Sequence, residues 1–402
     1  MKYIVILGDG MADYGIDEFD GKTVLDVADK PNIDYMSRHG ELGLVKTVAD
    51  GMKPGSDVAN LSVMGYDTKQ YYTGRSPLEA ASIGVPLKDS DVTFRCNLVT
   101  LSDEENYEDK TMLDYSSGEI TTDESRELIK SIAKELDTDI IKFYPGVSYR
   151  HLTVWDGGST NVSLTPPHDI SDKKIKDYLP SGDHAGEILE MMKKSEKILK
   201  NHPVNLERIK NGKNPATSIW IWGEGKKPQL SLFEEKYGLK GSVISAVDLI
   251  KGIAICAGMR SIDVDGTTGT YETNFDGKAD AALKALLDDG DDFVYIHMEA
   301  PDECGHQGDA PHKKLSVELI DEKVVGKIRK VLSEKNVAYK MLIMPDHPTP
   351  IKLKTHVSDP VPYIIYSSDE SVSSNLDYNE ENAKKTGIYI QEGCTLMDKF
   401  LK

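Results

Sequence analysis

Cysteine, positive charge, tryptophan and long apolar runs are all scarce in this chain. Only 4 of its 402 residues are cysteine. Cys96, Cys256, Cys304 and Cys394 lie far apart with no Cys-x-x-Cys pair, which argues against a zinc ribbon or a disulfide scaffold. Lys and Arg number 48 against 67 Asp and Glu, a net charge of −19. No basic stripe offsets that excess, so nucleic acid is not expected as a partner. No run approaches the roughly 18 apolar residues a membrane span requires. The first apolar run is short, meets Asp9 at once and lacks a small-residue cleavage site, so it does not read as a signal peptide. There is no Gly-x4-Gly-Lys-Ser/Thr loop, hence no P-loop nucleotide site. Neither an internal repeat nor a long low-complexity segment occurs. What remains is the composition of a cytoplasmic enzyme, with length enough for two domains.

Against that background three short apolar runs stand out, because each leads into an acidic residue. They are Tyr3–Leu7 followed by Gly8-Asp9, Phe293–Met298 leading to Asp302, and Met341–Met344 followed by Pro345-Asp346. Val- and Ile-rich runs bounded by Gly, Pro or charge read as buried strands of a parallel sheet. Ligands of open α/β sheets bind outside the carboxyl ends of the strands. Three carboxylates meeting there need cations between them. His306 follows Asp302 by one helical turn, His347 follows Asp346 directly, and His356 stands in the loop before the strand Pro362–Tyr366. Three Asp and three His suit two divalent transition metals such as Mn²⁺ or Zn²⁺, and argue against Mg²⁺ or Ca²⁺ as the preferred ion. A single Asp of this kind would more often cap a helix; three with histidines favour metal. Gly51–Leu61 is a Gly/Pro loop opening a helix-compatible stretch, which would set Ser56 at a helix N-terminus that favours anions such as phosphate. Ser56 or Asp57 could equally be an N-cap there, and the hydroxyl becomes a nucleophile only if a base or metal lowers its pKa.

These residues match a family. The chain resembles the cofactor-independent phosphoglycerate mutases of the alkaline phosphatase superfamily, most closely their shorter archaeal-type branch. The matching segments run from end to end: Gly8-Asp9-Gly10-Met11, Gly55-Ser56-Asp57, Thr73–Ala81, Phe94–Leu98, Tyr149–Leu152, Pro166–Asp169, Asp302-x3-His306, Pro345-Asp346-His347 and His356. The resemblance implies an α/β fold: an alkaline-phosphatase-like core with a mostly parallel, helix-flanked sheet, interrupted by an inserted α+β cap domain. It implies that Asp9, Ser56, Asp346 and His347 hold one metal and Asp302, His306 and His356 the other. Mn²⁺ comes first among the candidate ions, with Zn²⁺, Co²⁺ or Mg²⁺ as alternatives, and no bisphosphoglycerate is needed. The implied chemistry is interconversion of 3-phosphoglycerate and 2-phosphoglycerate through a phosphoserine on Ser56, so the partner is a small phosphorylated substrate.

The strand-then-Asp texture occupies residues 1–75 and 236–402, the expected catalytic domain, and a more polar texture fills 76–235, the expected cap. Within 76–235, His151–Trp155 and Thr217–Gly223 read as strands, and 183–200 as a helix whose lysines form a solvated face. Ser245–Lys251 reads as a further helix, Ser367–Asn379 as a surface loop, and Leu396–Leu401 as a helix packed on the core. Arg95, Arg150, His151 and His168 fall in motifs that resemble the family's substrate contacts, and guanidinium groups suit phosphate or carboxylate. Lys251 joins them as a substrate-binding candidate ahead of Arg260. Cys304, between two expected ligands, reads as a buried structural thiol. The chain departs from the longer mutases in its shorter cap and in Gly223–Pro228, which replaces their arginine-rich stretch. The acceptor therefore stays open between glycerate and homoserine, as in a homoserine kinase-like phosphotransferase, and a related phosphatase or phosphomutase is a further alternative. A non-catalytic binding protein with Ser56 as a mere cap is the competing class. Oligomeric state is left open.

Overall fold

The computed structural model describes residues 1–370 and 372–402. They form two compact units: Met1–Tyr72 with Gln229–Lys402, and the intervening Thr73–Pro228.

In the first unit the three apolar runs lie side by side. Lys2–Gly8 sits in the middle of an eight-stranded sheet, parallel to Phe293–Met298 on one side and to Tyr339–Met344 on the other. Gly241–Ile244 and then Arg260–Ile262 extend the sheet in parallel beyond Phe293–Met298. On the other flank Val361–Ser367 runs antiparallel to both Tyr339–Met344 and Glu41–Val45, and Tyr389–Ile390 closes the edge parallel to Glu41–Val45. Every residue of Phe293–Met298 and Tyr339–Met344 is buried. Burial on both faces explains why these strands are continuous apolar runs with no polar alternation.

One face is covered by Phe275–Leu287, whose Phe275, Ala279, Ala282 and Leu286 recur at helical spacing against Ile4, Ile6, Val294 and Ile296. Val317, Ile320, Val324, Ile328 and Leu332 add a second apolar row along the consecutive helical segments Ala310–Leu319, Ile320–Gly326 and Lys327–Glu334. The middle segment is a π-helix. The expected helix at Ser245–Lys251 begins later, at Asp248, and runs to Cys256. Leu396–Leu401 is helical with Leu396, Met397 and Phe400 buried, and Phe400 meets Tyr3 edge-on at 5.8 Å. The expected loop Ser367–Asn379 starts at the last residue of a strand, and its Ser371 lies outside the described residues.

The second unit is built around Asp91–Leu101, antiparallel to Arg150–Asp156 on one side and Ser218–Lys226 on the other. Ile141–Val147 pairs with the outer edge of Arg150–Asp156. The strand expected at Thr217–Gly223 thus continues through most of the Gly-Lys stretch that follows it. Thr122–Leu136 starts with a capping box between Thr121 and Glu124 and buries Leu128, Ile129 and Ile132. The lysine-rich helix spans Ala185–Leu199, shorter than expected because His184 at its N-cap is left-handed. Ile188, Met192 and Leu199 face the core while Lys194 and Lys197 face solvent. Among the described residues no helix is long and apolar enough to cross a membrane.

Candidate active site

Because the three central strands are parallel, their carboxyl ends share one edge, and the acidic residues after them converge there. Asp9 follows the first strand directly and is 2 % exposed. Asp302 lies in the first turn of the helix Ala300–Gln307, after the second strand, and Asp346 follows the third. Ser56 opens the helix Ser56–Val63, so its hydroxyl stands among unpaired backbone N–H groups at a positive helix end.

These groups form two adjoining clusters. In the first, Ser56 Oγ is 3.4 Å from Asp9 Oδ2 and 3.2 Å from His347 Nε2. His347 Nε2 lies 3.6 Å from Asp9 Oδ1 and 3.4 Å from Asp346 Oδ2. Asp346 is held on both oxygens: Gly10 N and His347 N donate to Oδ1 at 3.1 and 2.9 Å, and Asn60 Nδ2 donates to Oδ2 at 2.8 Å. Asn60 also donates to Ser56 O at 2.9 Å, and its Oδ1 accepts from Tyr295 OH at 2.6 Å. In the second cluster, His306 Nε2 and His356 Nε2 approach Asp302 Oδ2 and Oδ1 at 3.3 and 3.4 Å, and each other at 2.9 Å. Lys354 O orients His306 through Nδ1 at 3.0 Å, and Thr349 Oγ1 donates to Asp302 Oδ1.

Gly10 is demanded by this geometry. It has φ +62°, and a Cβ there would meet Thr349 Oγ1 at 2.5 Å and Asp302 Oδ1 at 2.7 Å.

The electrostatics are those of buried acids crowded together and against imidazoles. Burial, then the neighbouring Asp346 and Asp302, push the Asp9 carboxyl well above its usual range. Asp9 Oδ1 is buried without a hydrogen-bond partner. Burial alone would raise Asp302, but hydrogen bonds from His306 and His356 hold it well below the usual carboxylate range. The same contact with Asp302 lifts His306 to about 9. Burial pushes His347 down. An orphaned carboxylate oxygen and crowded acids facing imidazoles fit divalent ions.

Sequence reasoning missed His297, the penultimate residue of the strand Phe293–Met298. It is fully buried, its Nε2 lies 3.0 Å from Asp9 Oδ2, and burial pushes it down to about 3. The available signal was a polar ring inside an otherwise apolar run. Two lysines also went unread: Lys278, whose Nζ donates to His297 O at 2.8 Å, and Lys313, paired with Asp13 at 2.7 Å. Both are buried, and burial pushes Lys278 down to about 8. Cys304 is buried, its Sγ 3.9 Å from Ser316 Oγ.

The remaining candidates stand apart from these clusters in kind. Lys251 pairs with Asp263 at 2.6 Å, and Arg260 is clamped by Asp289 and Asp291 at 3.0 and 2.8 Å. In the second unit, Arg95 lies over the Trp222 ring at 4.4 Å with Nε donating to Glu79 at 3.1 Å. His168 meets the same indole edge-on at 5.4 Å, and Arg150 is exposed over Tyr149 at 5.2 Å. His151 alternates to the opposite face from Arg150 and is 2 % exposed, accepting from Gly146 N at Nδ1. Its Nε2 has no partner, and burial pushes the ring down to about 3.

A serine at a helix start, set among acids and imidazoles at the carboxyl edge of a mostly parallel sheet flanked by helices, defines an α/β protein with its candidate site at the strand ends. A family model described as 2,3-bisphosphoglycerate-independent phosphoglycerate mutase matches residues 37–205. A probable 2,3-bisphosphoglycerate-independent phosphoglycerate mutase of Geobacter sulfurreducens is 50 % identical over 100 % of both chains. The mutase of that name from Methanosarcina barkeri is 48 % identical over 100 % of both chains. Among solved structures, a Pyrococcus horikoshii protein aligns with a TM-score of 0.81 at 29 % identity, covering 100 % of this chain and 96 % of that one. The cofactor-independent phosphoglycerate mutase of Thermoplasma acidophilum shares the fold with a TM-score of 0.67 at 24 % identity, covering 100 % and 99 %. The chain belongs to the 2,3-bisphosphoglycerate-independent phosphoglycerate mutases, in their archaeal-type branch.

Proposed function

We propose that the protein interconverts 3-phosphoglycerate and 2-phosphoglycerate in glycolysis and gluconeogenesis, through a phosphoserine on Ser56 and without bisphosphoglycerate. The observation that carries this reading is Ser56 Oγ at a helix N-terminus, 3.2 Å from His347 Nε2 and 3.4 Å from Asp9 Oδ2. Asp9, Ser56, Asp346 and His347 would hold one divalent ion, and Asp302, His306 and His356 a second. Mn²⁺ suits this mixed carboxylate–imidazole set best, ahead of Zn²⁺, Co²⁺ or Mg²⁺. Bound ions supply charge neutralisation for the phosphate and a lowered pKa for the serine hydroxyl.

The chain's own groups do the rest. Ser56 Oγ gives up its proton and attacks phosphorus, the bond from phosphorus to the substrate's C3 oxygen breaks, and that oxygen takes up a proton. The glycerate then turns, its C2 hydroxyl loses a proton and attacks the phosphoserine, and the Oγ–P bond breaks to regenerate Ser56. Both steps are displacements that need alignment more than covalent novelty. The helix N-terminus offers N–H groups to the phosphate oxygens throughout. Arg95, Arg150, His151, His168 and Lys251 are candidates for the substrate's polar and charged groups, and the intermediate survives only if water is kept out.

The test is turnover of Mn²⁺-loaded protein with 3-phosphoglycerate and no bisphosphoglycerate, following 2-phosphoglycerate. Activity that disappears on chelation and in Ser56→Ala supports the reading. A folded, metal-loaded protein that gives no 2-phosphoglycerate, yet phosphorylates homoserine from a nucleotide donor, would replace it.

A further inference from the structure

One fully buried imidazole near the serine is not used by the proposed ligand set. His297 sits on the central strand Phe293–Met298 with a fully buried ring. Its two nitrogens face different partners: Nε2 lies 3.0 Å from Asp9 Oδ2, and Nδ1 lies 3.3 Å from Ser245 Oγ. Asp9 as a carboxylate can only accept from Nε2, which leaves Nδ1 to accept from the Ser245 hydroxyl, whose oxygen in turn accepts from Val247 N at 3.0 Å. The ring proton then belongs on Nε2 and points at Asp9. Lys278 Nζ donates to the His297 carbonyl at 2.8 Å and fixes the backbone under the ring. The chain of donors therefore runs from Val247 N through Ser245 and His297 to one oxygen of Asp9.

The other oxygen of that carboxylate has no such partner. Asp9 Oδ1 is buried and makes no hydrogen bond. One oxygen is thus tied back into the sheet, and its twin, 3.6 Å from His347 Nε2, accepts no hydrogen bond.

We infer that His297 is a positioning residue, not a ligand: it donates from Nε2 to Asp9 Oδ2 and so commits Asp9 to bind its divalent ion through Oδ1 alone. This deepens the proposed function and rests on its metal reading. The physical point is that a carboxylate free to rotate about its Cβ–Cγ bond would offer either oxygen or both. Anchoring Oδ2 selects one geometry and holds the acceptor that Ser56 Oγ approaches at 3.4 Å. Groups that orient a ligand in this way typically contribute about 10–100-fold to metal affinity.

The experiment is Mn²⁺ titration into the metal-stripped full-length protein, read by the loss of free-ion electron paramagnetic resonance signal and by calorimetry, with turnover measured in parallel. The expected result is that His297→Ala weakens one of two Mn²⁺ sites by about 10–100-fold and leaves the other unchanged. His297→Gln, whose amide can donate from the place of Nε2, should retain the wild-type affinity. Ser245→Ala, which leaves the strand untouched, should weaken the same single site by a smaller factor. Three results would overturn the inference: no change in His297→Ala, equal weakening of both sites, or His297→Gln as weak as His297→Ala, which would make the ring a direct ligand. Wild-type protein that binds no divalent ion would instead overturn the metal reading beneath it.

Discussion

Lys313→Met tests how firmly the second cluster is held from beneath. Lys313 and Asp13 are 0 % and 1 % exposed at the side chain, so neither charge has water to fall back on. All three ammonium protons have acceptors: Asp13 Oδ2 at 2.7 Å, Thr349 O at 2.8 Å and Ala12 O at 3.4 Å. Methionine keeps most of the stem's volume, so little cavity cost arises and the loss is electrostatic. Breaking a buried pair from one side typically costs about 3–5 kcal/mol, because a charge is stranded. Asp13 keeps donors from Tyr14 N at 2.8 Å and Ile351 N at 3.2 Å, which places the expected loss near the lower end, about 3 kcal/mol. Urea unfolding followed by far-UV circular dichroism measures it. All 3 tryptophans lie in Thr73–Pro228, so indole fluorescence reports that unit separately. Adding Asp13→Asn removes the stranded charge and should recover at least about 1 kcal/mol. A loss below about 1 kcal/mol in Lys313→Met would refute the argument, since it would mean the pair is solvated or unneeded.

Other outcomes follow from the same geometry. Tyr295→Phe removes the donor that fixes the Asn60 amide, so stability should fall by about 1 kcal/mol and Mn²⁺ affinity should drop with it, both read by ligand-dependent thermal melts. Mn²⁺ at about 100 times its Kd should stabilise the metal-free protein by roughly 2.7 kcal/mol per site, and chelation should reverse this. Burial pushes Glu380 up to about 7, so its contribution to stability is complete below the usual Glu range and is lost as pH rises through about 7. Glu380→Gln should flatten the melting profile between pH 5 and 8 and be the more stable protein at the alkaline end; an unchanged profile would mean the carboxyl is ionised throughout. Gly10→Ala should displace Asp302 and Thr349 and weaken the second Mn²⁺ site, visible in the same titration.

The central strands were legible because a doubly covered strand has only one composition available to it, and the acid that ends it is conspicuous. That is why the three aspartates could be named from sequence, whereas Ser56 was named from the Gly/Pro loop that opens its helix. His297 was not legible, because a lone ring in a strand reads as packing; only the position of Asp9 at the end of the neighbouring strand, 288 residues earlier in sequence, gives it a role. Lys278 and Lys313 fail for a related reason. Lysine on a helix is expected in water, and nothing local says that a carbonyl or an aspartate waits beneath it. The late start of the helix at Asp248 reflects Ser245, whose side chain accepts from Val247 N and so holds the chain in a turn before the helix can begin.

The strand Lys2–Gly8 occupies the middle of its sheet, yet both of its neighbours are made more than 280 residues later, as the 288-residue separation between Asp9 and His297 shows. At about 5–20 residues per second, ribosomal synthesis leaves it without either partner for roughly 15–60 s. Throughout that interval an apolar segment rich in Val and Ile has two bare hydrogen-bonding edges, the condition under which nascent chains recruit chaperones or one another. Thr73–Pro228 emerges meanwhile with its own sheet partners at hand. In this chain Asp9, at the end of that strand and in the proposed metal site, is therefore translated long before the strands that secure it, and low yields from rapid overexpression would trace to that delay and not to any weakness of the finished fold.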